Sequence, residues 1–137
     1  MRLRETIEVA RPPADVYAAL AEPERRGDGR AWREIGQDDG AYRAKLHLSG
    51  SIDLDFDCRF ELEEQPPQAV VVRGVGTSPR LGFTFVGSLS VRGSGDTSAV
   101  EADIEVLPAG PLAGLGQRRV RDQARGLIAE FVAPDRG

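Results

Sequence analysis

Alternating hydrophobic and polar residues run through most of the chain and predict β-strands rather than helices. Because successive side chains of a strand point to opposite faces, this pattern predicts a sheet with one apolar face and one charged face. Short spacing between the strands favours antiparallel hairpins, and Asp39-Gly40 is typical of a tight turn between two of them. The predicted strands cover residues 2–10, 31–36, 42–48, 52–62, 69–75, 81–91 and 100–106.

Helical spacing of apolar residues is confined to two segments. The first follows Pro12-Pro13 and ends near Ala21, with a further short turn after Pro23, and the second covers residues 112–131. The element order is therefore one strand, a short helical excursion, six strands and a long C-terminal helix. Since only that last helix is long enough to cover the apolar face, we expect the sheet to curve around it and to leave a pocket between them.

The composition and charge of the chain exclude several classes of protein. The chain has 137 residues, 40% hydrophobic and 29% charged, which predicts one soluble globular domain over residues 1–137. A net charge of -4 argues against a nucleic-acid partner. The absence of a spanning apolar run and of a secretory signal predicts a cytoplasmic location. One Cys and one His exclude a disulfide framework and a multi-ligand zinc site, so we expect no metal and no cofactor.

The predicted apolar face carries most of the aromatic residues. These side chains either fill a core or line a pocket. We assign them to a pocket because a sheet curved around one helix encloses more space than the available side chains fill. Trp32 and Tyr42 have polar groups for a ligand's oxygen, although the pattern leaves open which way Trp32 and the strand over 69–75 face. Cys58 fits core packing, since no His shares its face to activate a thiol. The predicted ligand-binding residues are Trp32, Tyr42, Phe56, Cys58, Phe60, Phe83, Phe85, Ile104, Leu112 and Leu115.

The charged face holds the single histidine, His47, opposite the predicted pocket, which favours a solvated residue over a catalytic one. Three aspartates at alternate positions of the next strand lie ~7 Å apart, too linear for a compact cation site. We expect them instead to form cross-strand ion pairs of ~0.2–1 kcal/mol each. With a three-residue turn over 49–51, Leu48 would face Ile52. The predicted pairs are then His47 with Asp53, Lys45 with Asp55, and Arg43 with Asp57.

The last helix carries a basic stretch on an otherwise acidic chain. It is either a solvated face or a contact with an acidic partner or an anionic membrane surface, and we interpret it as solvated. Gly114 and Gly116 in the same segment indicate a close approach to the sheet or room for a ligand. Peripheral membrane contact, if made, would use Arg118, Arg119, Arg121 and Arg125.

Three segments resemble a known superfamily: residues 9–20 (VARPPADVYAAL), residues 39–44 (DGAYRA) and residues 110–131, which begin GPLAGLGQR. The chain is similar to helix-grip proteins of the START and birch-pollen-allergen type (the SRPBCC superfamily), and more narrowly to the carbon monoxide dehydrogenase G-subunit family. Residues 26–32 depart from that family, which usually has a Cys-Ile-Pro-Gly-type loop there. The resemblance implies an α+β helix-grip fold, a curved seven-stranded antiparallel sheet wrapped on a long C-terminal helix.

The same resemblance implies a function. Such proteins bind a hydrophobic, lipid- or quinone-like molecule and serve a molybdenum hydroxylase as accessory factors. We therefore predict ligand binding without chemical turnover. Two alternatives stay open: an enzyme of the polyketide cyclase or dehydratase kind, which needs an acid or base inside the pocket, and an interaction module for a redox enzyme, with the pocket closed.

Overall fold

The computed structural model describes residues 1–25, 28–48, 53–65, 68–79, 81–109 and 117–132. The strands and helices in chain order are β1 (Arg2–Val9), α1 (Pro13–Ala21), β2 (Trp32–Asp38), β3 (Ala41–Leu48), β4 (Leu54–Gln65), β5 (Ala69–Thr77), β6 (Gly82–Ser94), β7 (Thr97–Ala109) and α2 (Gln117–Val132). A short 3₁₀ helix, Pro23–Arg25, follows α1. The predicted start of the last helix, with Gly114 and Gly116, lies outside the described residues.

All seven strands form one antiparallel sheet in the order β1-β7-β6-β5-β4-β3-β2. From β2 to β7, each strand pairs with the next strand in the sequence, and β1 pairs with β7. The predicted fold class, a seven-stranded antiparallel sheet with a C-terminal helix, is confirmed. None of the described helices has both the length and the apolar character needed to cross a membrane.

Helix α1 packs against β5, β6 and β7 on the inner, apolar face of the sheet, and α2 contacts the two edge strands, β1 and β2. Pro13 stands in the first turn of α1, where a missing N–H costs nothing. Arg11 donates a hydrogen bond to the Val132 carbonyl at 3.2 Å, and buried Ser98 donates to the Arg11 carbonyl at 2.6 Å. These bonds join the connection between β1 and α1 to α2 and β7. The main buried cluster consists of Ile7, Val9, Val16, Leu20, Ala21, Val70, Leu89, Val91, Val100, Ala102 and Val132.

Strand β2 contains a β-bulge that explains its weak hydrophobic pattern. The pairing with β3 shifts between Arg33 and Gly36, so that Glu34 and Ile35 together oppose one residue. Glu34 has a positive φ of 53°. Because a bulge inserts one extra residue, Trp32 and Ile35 both contact the inner aromatic residues, although a regular strand would place them on opposite faces.

The turn between β3 and β4 differs from the prediction. Leu48 pairs with Leu54, so five residues separate the paired positions instead of three, and residues 49–52 lie outside the described part. The predicted pairs of His47 with Asp53, Lys45 with Asp55 and Arg43 with Asp57 are therefore wrong. A shift of two residues keeps every side chain on its own face, so alternation alone does not distinguish the two registers.

Lys45 forms an ion pair and His47 a hydrogen bond across these strands, but with the shifted partners. Lys45 Nζ lies 3.0 Å from Asp57, and His47 Nδ1 lies 2.6 Å from Asp55. Arg43 opposes Arg59 across the strands and bonds to Asp38 at 2.8 Å instead. The guanidinium of Arg43 lowers the pKa of Asp38 below its ordinary value, chiefly through this hydrogen bond.

Candidate functional site

Six aromatic residues of the predicted site lie on the inner face of β2, β3, β4 and β6, in clusters separate from the main buried one. Tyr42 stacks on Phe60 with ring centroids 5.5 Å apart, because the two residues are directly paired between β3 and β4. Trp32 meets Phe60 edge-on at 6.4 Å. The remaining contacts join Phe56 to Phe83 at 5.2 Å and Phe83 to Phe85 at 6.1 Å. The structure therefore brings Trp32, Tyr42, Phe56, Phe60, Phe83 and Phe85 onto one surface.

Two glycines of β5 shape this surface and were not recognised in the sequence. Gly74 and Gly76 are paired with Phe85 and Phe83 of β6. A Cβ atom at Gly76 would lie 2.4 Å from the Phe83 ring, and one at Gly74 would lie 2.7 Å from the Phe85 ring. Both rings therefore lie across the glycine backbone. The sequence signal is the alternation of glycines in a strand opposite a Phe-x-Phe strand.

Phe83 and Phe85 are only partly buried, although both face inward. In contrast, Phe56 and Phe60 have relative exposures of 2% and 5%. Within the described residues, the apolar surface at the β5–β6 side is thus not fully covered. This partial exposure distinguishes Phe83 and Phe85 from the buried Phe56 and Phe60.

Helix α2 is joined to the start of β2 beside this surface. The indole N–H of Trp32 donates to the Leu127 carbonyl at 3.2 Å, and its ring meets Phe131 edge-on at 5.8 Å. The Ala31 N–H donates to both carboxylate oxygens of Glu130, at 3.0 and 3.1 Å. The structure settles the facing of Trp32 as inward. It also corrects one expectation, because the indole N–H bonds to the helix instead of pointing at a ligand.

Tyr42 supplies a phenol at the other side of the aromatic surface. Burial raises its pKa first, and the nearby carboxylates of Glu24 and Glu64 raise it further. Tyr17 of α1 likewise has a raised pKa because of burial, and its hydroxyl is buried with no hydrogen-bond partner among the described residues. Both phenols therefore stay protonated at neutral pH and face an acidic neighbourhood.

Cys58 is 3% exposed and lies in a cluster with Leu46 and Phe56. Burial raises the pKa of its thiol to about 12, with a smaller contribution from the negative charge of Asp57. The thiol is therefore neutral at physiological pH and has the character of a packing residue.

Three further predicted site residues lie elsewhere. Ile104 is partly buried and packs against the main buried cluster, so its place in a ligand site stays a prediction. Ile104 pairs with Gly87, two positions beyond Phe85 along β6, nearer to the helices. Leu112 and Leu115 lie outside the described residues.

The basic stretch of α2 is partly neutralised within the chain. Glu5 of β1 faces inward, and its carboxylate accepts a hydrogen bond from Arg125 at 3.0 Å and lies 3.9 Å from Arg121. The side chains of Arg118 and Arg119 lie outside the described residues. Two of the four arginines are thus held against the sheet, a contact the sequence signals through an acidic residue at an inward position of β1.

Two clefts lined by described residues lie on the outer face of the sheet. One of about 460 Å³ is lined by the hydrogen-bonded residues His47 and Asp55 and by the ion pair of Lys45 with Asp57. The other, of about 560 Å³, surrounds Val75, Val86 and Leu107. His47 is thus on the charged face, as predicted. The described residues include no group of three or more side chains arranged to hold a metal ion.

Solved structures with this fold cover nearly the whole chain. A conserved protein from Geobacillus kaustophilus has a TM-score of 0.78 and 17% identity, covering 96% of this chain and 90% of its own. A START superfamily protein from Mycobacterium smegmatis has a TM-score of 0.62 and 11% identity, covering 95% and 90%. Norcoclaurine synthase from Thalictrum flavum has a TM-score of 0.60 and 13% identity, covering 96% and 83%. At these identities the similarity establishes the helix-grip fold.

No curated protein matches the sequence significantly. The sequence profile of the carbon monoxide dehydrogenase G-subunit (CoxG), however, matches residues 6–134. That range includes β2 to β7, the aromatic surface and all of α2. Fold and profile agree with the resemblance carried by the three sequence segments, and the chain belongs to the CoxG family, that of the carbon monoxide dehydrogenase G-subunit.

Proposed function

We propose that this protein binds a small, neutral, hydrophobic molecule between the sheet and α2 and does not transform it chemically. The observation that carries the proposal is the aromatic surface beside β5. Because Gly74 and Gly76 have no side chains, the rings of Phe85 and Phe83 lie directly against the β5 backbone. Both rings are partly exposed on the inner face. An apolar ligand there would gain ~25 cal/mol per Å² of apolar surface removed from water.

The charges around Tyr42 favour a neutral ligand over an anionic one. Glu24 and Glu64 lie near enough to raise the pKa of this phenol, so a carboxylate head group would meet like charges. Because the Tyr42 hydroxyl is already hydrogen-bonded to Glu24, this side of the site favours a neutral ligand that does not need that proton. A quinone or a neutral lipid has this chemistry, whereas a fatty acid does not.

Binding without turnover is favoured over an enzyme of the cyclase kind by the state of Cys58. Its thiol pKa of about 12 supplies no nucleophile at neutral pH. Glu130 is bonded to the Ala31 N–H, and Glu5 to Arg125, so each of these carboxylates already has a partner. Family membership supports an accessory role beside a molybdenum hydroxylase, to which the bound molecule would be delivered or from which it would be collected.

The single tryptophan provides a direct test. Because Trp32 lies on the aromatic surface, a bound quinone should quench its fluorescence. We expect menadione to quench saturably and sodium decanoate to have no saturable effect. Phe85→Ala should weaken menadione binding about tenfold or more, since a buried aromatic contact contributes ~1.5–3 kcal/mol.

Thr84→Ala is the matched control, because Thr84 lies between Phe83 and Phe85 on the same strand but faces outward. It should bind menadione as the wild type does. Circular dichroism should show both variants folded. Quenching that rises linearly without saturation, or equal affinities in the two variants, would rule out the proposed site. Chemical conversion of the added molecule would rule out binding without turnover.

A further inference from the structure

The outer face of β5, β6 and β7 carries an exposed apolar patch. Val75, Val86 and Leu107 have relative exposures of 37%, 44% and 58% and line the cleft of about 560 Å³. They lie on the side of the sheet opposite the helices, away from the aromatic surface. Apolar side chains grouped on an outer face indicate a contact surface.

The charges around Val86 follow an unusual order. Val86 pairs with Arg73 on one side and with Glu105 on the other. One strand further out, Arg73 pairs with Glu61 and Glu105 pairs with Arg2. The row across five strands therefore reads Glu61, Arg73, Val86, Glu105, Arg2, or negative, positive, apolar, negative, positive.

Reflection of this row through Val86 exchanges every positive residue with a negative one. A two-fold axis that runs along β6 and lies in the interface exchanges the left and right sides of the face. Arg73 would then face Glu105 of the partner subunit, and Glu61 would face Arg2 of the partner subunit, each contact occurring twice. We propose that the outer face of β4, β5, β6, β7 and β1 is the interface of a two-fold symmetric dimer of this chain.

The rows on either side contribute further matched pairs about the same axis. In the row Val75, Thr84, Leu107, the axis places Val75 against Leu107 of the partner subunit, so the two exposed apolar side chains cover each other. The opposite row reads Glu63, Val71, Ser88, Asp103, Arg4, and the axis places Glu63 against Arg4 of the partner subunit. Val71 meets Asp103 of the partner subunit, so the complementarity is weaker in this row than in the other two.

The interface is of modest size. Neighbouring strands lie ~4.8 Å apart, so five strands span ~19 Å. An area of that width belongs to the small class of interfaces, for which a concentration-dependent dimer is expected. The face that holds the proposed ligand site stays free in this arrangement, so the dimer proposal stands independently of ligand binding.

Exchange of the charges gives a decisive test. Arg73→Glu places two like-charge contacts in a homodimer, and so does Glu105→Arg. When the two variants are mixed, however, each altered residue meets its opposite charge, and a heterodimer should form. We expect wild-type dimerisation in sedimentation velocity, a dissociation constant raised about tenfold or more for each variant alone, and recovery in the mixture.

Arg33→Glu changes the net charge equally on exposed β2, outside the interface, and should dimerise as the wild type does. Because Glu105 also bonds to the Met1 amino group at 3.1 Å, Val86→Arg provides a second disrupting variant that leaves that bond intact. It puts two like charges on the axis and should be monomeric. A wild type that stays monomeric at high concentration, or a mixture that forms no heterodimer from folded variants, would overturn the proposal.

Discussion

The glycines of β5 allow the aromatic surface to be tested by one added methyl group. In Gly76→Ala, the new Cβ would lie 2.4 Å from two atoms of the Phe83 ring and 3.1 Å from a third. These distances are well inside ordinary van der Waals contact, so the ring must move. Overfilling of this kind costs ~1–3 kcal/mol, and we expect the free energy of unfolding to fall by that amount.

Two other glycines calibrate the effect. Gly36 of β2 has no atom within 4 Å of an added Cβ, so Gly36→Ala should be neutral or stabilising by ~0.4–1 kcal/mol through loss of unfolded-state entropy. At Gly74 the added Cβ would lie 2.6 Å from the Arg59 carbonyl oxygen, which is backbone and unable to turn aside. We therefore expect Gly74→Ala to cost more than Gly76→Ala.

Urea unfolding followed by circular dichroism measures all three changes. The deciding comparison is a double-mutant cycle with Phe83→Ala, which removes the ring that the new Cβ meets. In that background, Gly76→Ala should cost close to nothing. An equal cost of Gly76→Ala with and without the Phe83 ring would refute the placement of the ring across β5.

Three further outcomes follow from the contacts described. Because burial raises the pKa of Cys58 to about 12, its thiol should resist a thiol reagent at pH 8 until the chain is unfolded in urea, and rapid labelling of the folded protein would contradict this. Arg2 holds the pKa of Asp103 below its ordinary value, so the carboxylate stabilises the fold above the unfolded pKa of ~3.9. That contribution is lost as pH falls through the folded pKa, so Asp103→Asn should be destabilising in urea titrations at pH 7 and progressively less so as the pH falls below ~3.9, and an effect that does not change with pH would refute it. Trp32→Phe removes the hydrogen bond to the Leu127 carbonyl and should lower the free energy of unfolding by ~0.5–1.5 kcal/mol, measured by circular dichroism, whereas unchanged stability would show that this bond contributes nothing.

The fold was predictable from the sequence because alternation and helical spacing determine the face on which each residue lies. Phe56, Cys58 and Phe60 all face inward as predicted. The register between β3 and β4 was not predictable, since a shift of two residues leaves all faces unchanged. The order of the charged pairs, with Lys45 beside Asp57, therefore needed the structure.

The candidate site was predictable in its aromatic residues but not in the groups that position them. The bulge at Glu34 breaks the period of β2, so the direction of Trp32 was not readable. The spacing of apolar residues in α2 predicts which face of the helix is buried, but it does not predict a partner for Glu130. The bond from the Ala31 N–H to Glu130 joins residues far apart in the sequence. Gly74 has no side chain to signal its role, which depends on the ring of Phe85 across the sheet.

The order of strands in the sheet also determines how the chain is completed during synthesis. Strands β2 to β7 each find their partner next in sequence, so they can pair as they leave the ribosome. Strand β1 emerges before all of them, yet its partner β7 begins only at Thr97. Its apolar residues Leu3, Ile7 and Val9 therefore stay exposed to solvent for most of translation. Unpaired apolar segments of this kind are prone to aggregate or to bind chaperones.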